Sequence, residues 1–132
     1  MTPKRGSVRR HVRIARSADA VWDRIGDPAR VAEWFGGLES ASVDGDTRVV
    51  VTGAGVPMAE EIVTNDPIQR RFQYRIRAPM FRDHLSTLDV IDLGDHTSLV
   101  VYAADADPAT MALVIAGAAG AALENLKLQM EA

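Results

Sequence analysis

The sequence contains no cysteine, which excludes a disulfide framework, a thiolate nucleophile and any cysteine-based zinc site. Its three histidines, His11, His84 and His96, are dispersed. None stands at a metal-ligand spacing such as HExxH, so no metal site is expected. A GxSxG elbow is missing, and Ser86 lacks the spaced partners of a catalytic triad. Phosphate-cradling glycine patterns are missing too. "GAGVPM" leads into strand-like sequence instead of a helix, and no nucleotide cofactor is expected.

The longest apolar run, Met111 to Leu123, is shorter than the roughly 18 residues a membrane span requires. The opening "MTPKRGSVRRHVRIARS" has neither an apolar h-region nor a small-residue cleavage site. The resulting expectation is a cytoplasmic protein without membrane insertion. A net charge of -3 argues against a nucleic-acid partner, although the cations are clustered. Lys4, Arg5, Arg9, Arg10, Arg13 and Arg16 form one group, and Arg70, Arg71, Arg75 and Arg77 a second. No aromatic residues interleave with them as single-strand binding would require, and a solvated sheet face accounts for them.

What is present is a change of period along 132 residues, a length that suits one domain spanning 1–132. "VRRHVRI" alternates, with Val8, Val12 and Ile14 on one side and Arg9, His11 and Arg13 on the other, which predicts a strand with one wet face. Ser17 then suits the cap of a helix carrying Val21, Trp22 and Ile25 on one stripe, and Gly26 and Pro28 stop it. Pro28 opens a second short helix, "PARVAEWF", which ends at Gly36 and Gly37. From there the period is two. Three strand pairs follow, joined at Asp44-Gly45-Asp46, at Asn65-Asp66-Pro67 and at Gly94-Asp95-His96. Asp107 and Pro108, with Thr110 nearby, open a last helix that runs to the C-terminus.

The fold class is therefore α+β: a seven-stranded antiparallel sheet, two short helices after the first strand, and a long C-terminal helix around which the sheet curls. No other element is long enough to cover the apolar face of the sheet. The first half of that helix, "MALVIAGAAGAALENL", is built mostly of Ala, Gly and aliphatic residues. Two readings stand. Gly117 and Gly120 let backbones approach in tight helix-on-sheet packing, or the small side chains at Ala118, Ala121 and Ala122 leave a void that a ligand fills.

This order of elements, with "HVRIARSADAVWDRIGDPARVAEWF", the step from Glu60 to Ile62, "RRFQYRI" and "HLSTLDVIDLGDHTSLVVY", resembles the START-like, helix-grip superfamily. Within it the chain resembles the SRPBCC or polyketide cyclase/dehydratase-like proteins, which share the birch-pollen-allergen-like fold. The resemblance covers roughly Val8 to Ala132 and implies a single START-like domain with an apolar cavity for lipid-like, aromatic or polyketide-like ligands. It favours the void over tight packing.

Strand parity then nominates the wall. Phe72, Tyr74 and Ile76 face inward. His84, Ser86 and Leu88 do so because the other parity would bury Asp89. Val100 and Tyr102 follow on the last strand. Similarity to the plant hormone receptors of the superfamily turns Glu60 and Ile62 inward and makes "TGAGVPM" a mobile gate with Val56 and Pro57 as its lid. Val50, Thr52, Met111, Val114, Ala118 and Ala121 complete the candidate ligand-binding set. An imidazole ordinarily titrates near neutrality, and His84, with Glu60 across the cavity, is the candidate acid/base pair. Trp34 is placed at the base or rim.

Three functions follow from this reading. The first is binding of a small hydrophobic ligand. The second is a cyclase/dehydratase-type reaction through His84 and Glu60. The third is a regulatory protein-interaction module using the basic outer face. The expected assembly is a monomer or homodimer.

Overall fold

The computed structural model describes residues 4–132. β1 (Gly6–Ile14) leads into α1 (Ala18–Ile25), a single 3-10 turn (Pro28–Arg30) and α2 (Val31–Trp34). Six strands follow: β2 (Leu38–Asp44), β3 (Thr47–Thr52), β4 (Pro57–Asp66), β5 (Arg71–Arg77), β6 (Asp83–Gly94) and β7 (Thr97–Asp107). α3 (Ala109–Glu131) ends the chain. The seven strands form one antiparallel sheet in the order β1-β7-β6-β5-β4-β3-β2. This is the helix-grip α+β architecture.

Local chemistry sets the boundaries. Ser17 Oγ accepts the Ala20 N–H at 3.2 Å, with Asp19 in the first turn of α1 and Arg24 in the last. The second predicted helix divides: Asp27 caps the 3-10 turn, and only four residues continue as α2. The β2–β3 turn places Gly45 at φ 59°, a conformation that glycine adopts without steric cost. α3 starts differently from the expectation. Asp107 belongs to β7, and Pro108 occupies the cap position with no side-chain hydrogen bond.

The inward parity of β1, β5, β6 and β7 puts Val12, Ile14, Phe72, Tyr74, Leu88, Val90, Val100 and Tyr102 into one core with Leu123 and Leu126 of α3. α3 lies along β1 and β7, and its buried stripe there is Ala112, Ala116, Ala119 and Ala122. The strands facing it are equally sparing of bulk, with Ala104 and Ala106 buried on β7. A Cβ on Gly6 would sit 2.7 Å from the Ala109 carbonyl oxygen and 3.0 Å from Ala112 Cβ. The buried alanines of α3 thus serve a close backbone approach along this flank, whereas a Cβ on Gly117 would meet nothing within 4 Å and one on Gly120 would meet the Arg10 side chain, so the expected glycine contacts are not what draws the helix in.

An 18-residue window of α3 has a mean hydropathy of 1.5, and 33% of it is buried. By length and composition alone the helix could cross a bilayer, but here it packs along β1 and β7 and sends Leu123 and Leu126 into the core. The helix extends past the Met111–Leu123 run at both ends, and its outer face keeps Leu113 and Leu128 exposed.

Candidate functional site

On its other flank α3 stands off the sheet. Between it and β3, β4 and β5 lies an open recess of about 150 Å³. Val114, Ile115 and Ala118 form the α3 side, and Val31, Phe35 and Leu38 close one end. The sheet contributes Val50, Thr52 and Met58 as apolar or weakly polar wall, with Tyr74 and Ile76 beyond them. The two charged residues of the lining are Arg48 and Glu60.

Those two are neighbours by register, since Arg48 on β3 pairs with Glu60 on β4. Both are buried, and Arg48 Nε donates to Glu60 Oε1 at 2.6 Å. Arg48 Nη1 also donates to the Pro28 carbonyl at 3.2 Å, and its guanidinium lies 5.2 Å from the Phe72 ring centre and 4.9 Å from that of Tyr74. Those aromatic faces replace part of the hydration that a buried cation forgoes. Burial pushes the Glu60 carboxyl above the usual carboxylate range, and the opposing pull of Arg48 does not cancel it.

Of the residues nominated from the sequence, Val50, Thr52, Glu60, Tyr74, Ile76, Val114 and Ala118 come together on this recess. Phe72, Leu88 and Tyr102 lie beneath it, around a void of about 10 Å³ that Trp34 also borders. Ser86 and Val100 are fully buried in the sheet face. Val56 on the β3–β4 turn and Pro57 at the start of β4 are exposed, outside the recess lining. Ile62 and Met111 are half-buried and also outside the lining. Ala121 points outward and is exposed, while Ala122 is in the core. The 3.6-residue period of α3 separates these neighbours.

His84 does not share a wall with Glu60. It is fully buried, at the place where β5 and β6 part: their ladder runs from Arg71↔Asp89 to Tyr74↔Ser86 and stops. Beyond that point the imidazole substitutes for the missing strand carbonyl, and Nδ1 accepts the Ile76 N–H at 2.8 Å. Nε2 lies 2.8 Å from Ser86 Oγ. Burial, with the charge of Arg75 nearby, lowers the His84 pKa to about 4, so the ring is neutral at pH 7. With Nδ1 accepting, the ring proton is on Nε2 and is donated to Ser86. The Tyr74 and Tyr102 hydroxyls are hydrogen-bonded to each other, and burial raises the Tyr74 pKa to about 12.

Arg48, Phe35, Leu38, Met58 and Ile115 line the recess without having been nominated from the sequence. Parity carries the signal for Arg48, which stands two residues before Val50 and so on the same face. The others depend on how far α3 tilts off the sheet, which periodicity does not encode. The second basic group is paired: Arg70 with Asp19, Arg71 with Asp89, and Arg75 and Arg77 with Glu61.

Residues 5–131 match the family described as polyketide cyclase / dehydrase and lipid transport, and the chain belongs to that family within the SRPBCC superfamily. No curated protein matches the chain in sequence. Among solved structures, the protein XoxI from Bacillus cereus superposes with a TM-score of 0.89 at 21% identity, covering 96% of each chain. Zhui aromatase/cyclase from Streptomyces sp. R1128 gives 0.76 at 20% identity, covering 96% of this chain and 94% of that one. Norcoclaurine synthase from Thalictrum flavum, in complex with dopamine and hydroxybenzaldehyde, gives 0.73 at 13% identity, covering 95% and 86%. At these identities the likeness is one of fold.

Proposed function

We propose that the protein binds a small, largely apolar ligand in the recess between α3 and β3–β5. The observation that carries this reading is the change in α3 from a close-packed flank to one that leaves an apolar hollow with a single buried ion pair in its wall. Such hollows, apolar with few convergent polar groups, are the usual form of small-molecule sites. The family description, and the aromatase/cyclase and norcoclaurine synthase among the fold's relatives, support the same class of ligand.

Native mass spectrometry of protein purified from its own host, followed by solvent extraction, tests the proposal. A stoichiometric apolar compound is expected. A compound-free protein that also takes up no apolar probe would overturn it.

A second reading, acid/base chemistry of the cyclase/dehydratase kind, is favoured by Glu60. Its carboxyl lines the recess and holds its proton more tightly than an exposed carboxylate. In this reading Glu60 moves the proton, and His84, hydrogen-bonded to Ser86, holds the wall without touching the ligand. Glu60→Gln should then bind ligand as the parent does and lose turnover. Parental turnover in Glu60→Gln would exclude the role.

A further inference from the structure

The hydrogen bonds beneath the recess do not close. His84 Nε2–H is committed to Ser86 Oγ because Nδ1 already holds the Ile76 N–H. The Tyr74–Tyr102 pair contains two protons and one mutual hydrogen bond, and among the described residues no other hydrogen bond takes the second proton. Trp34, 3% exposed, adds a second donor: its Nε1–H has no partner among the described residues. Tyr74, Tyr102, Trp34 and Arg48 all border the same void of about 10 Å³.

A cluster of donors around a hole is costly unless an acceptor fills it. The void is at the lower limit for one water-sized atom. Val31, Arg48 and Tyr74 border both the void and the recess, so a ligand in the recess lies directly above it.

We infer that this void is an acceptor subsite that takes one oxygen atom: a water when the recess is empty, and the oxygen of an uncharged carbonyl group when a ligand occupies it. An anionic oxygen is disfavoured, because Glu60 already neutralises Arg48 at 2.6 Å and a second negative charge would be buried beside the first. A carbonyl-accepting subsite deepens the ligand-binding reading and rests on it.

The test uses two compounds of nearly equal shape, acetophenone and α-methylstyrene, which differ by a carbonyl oxygen in place of a methylene. The reporter is the Trp34 indole N–H in a nitrogen-15 correlation spectrum, assigned with Trp22→Phe. In the free protein this proton should show magnetisation transfer with an ordered water. Acetophenone should shift it downfield and bind about tenfold more tightly than α-methylstyrene, the scale of one or two buried hydrogen bonds. Tyr102→Phe should narrow that preference, and Trp34→Phe serves as the second variant if Tyr102→Phe does not fold.

Equal affinities with an unmoved indole signal would overturn the subsite and leave the recess as a plain apolar site. If neither compound binds, the recess reading fails, and the free protein decides the subsite: water contact at the indole proton retains it, and a dry indole overturns it.

Discussion

The two flanks of α3 use the same small residues for opposite ends. Toward β1 and β7, Ala112, Ala116 and Ala119 are buried against strands that carry Gly6, Ala104 and Ala106, and the absence of side-chain bulk lets the backbones close. Toward β3, β4 and β5, Ala118 borders an open recess, and the absence of bulk leaves space. Alanine content therefore does not distinguish a packed seam from a hollow. What distinguishes them is whether the facing strand is small as well, and on the recess side it is not: Arg48, Met58 and Tyr74 stand there. Small facing residues let the helix close on the sheet along one flank, while along the other larger ones face it across open space.

The wall of the recess flank contains a buried charge pair, and the largest effect is expected there. Arg48→Ala leaves Glu60 buried without its cation and should lower unfolding stability by about 3–5 kcal/mol, whereas Arg48→Met with Glu60→Leu should recover most of the loss. Chemical denaturation of the three proteins checks this; a single variant as stable as the parent would mean that the pair does not hold the wall.

His84 contributes the next effect through pH. Its folded pKa of about 4 lies below the ordinary 6.5. The folded state thus resists protonation, and its stability falls as pH drops from 6.5 toward 4 and then levels. The loss is about 3 kcal/mol at most. Urea titrations across that range should show the slope in the parent and a flatter one in His84→Gln.

Smaller still is the contrast between the flanks themselves. Ala116→Leu overfills the seam and should cost about 1–3 kcal/mol. Ala118→Leu, extending into open space, should alter stability by less than about 0.5 kcal/mol. Similar melting temperatures for the two would erase the distinction on which the recess reading rests.

Much of the architecture is legible in the alternation of the strands. Phe72, Tyr74 and Ile76, His84, Ser86 and Leu88, and Val100 and Tyr102 all point inward because one-sided burial fixes parity over a whole strand. Glu60, which the similarity to the plant hormone receptors turns inward, is buried on the recess wall, and Arg48 on the neighbouring strand is open to the parity argument. What parity cannot supply is distance. It places His84 and Glu60 on one face of the sheet without saying that β5 and β6 separate at Ile76 and seat the imidazole inside the gap. It also treats Ala118 and Ala121 alike as small. The helical phase relative to the sheet, set by tertiary packing, turns one to the recess and the other to solvent.

Ala118 and Ala121 therefore give the most direct measurement. Uptake of the apolar fluorophore N-phenyl-1-naphthylamine by the parent, Ala118→Leu and Ala121→Leu should be saturable in the parent, abolished by leucine at 118 and unchanged by leucine at 121. Equal uptake by all three, or loss only with leucine at 121, would contradict the placement of the site between α3 and β3–β5.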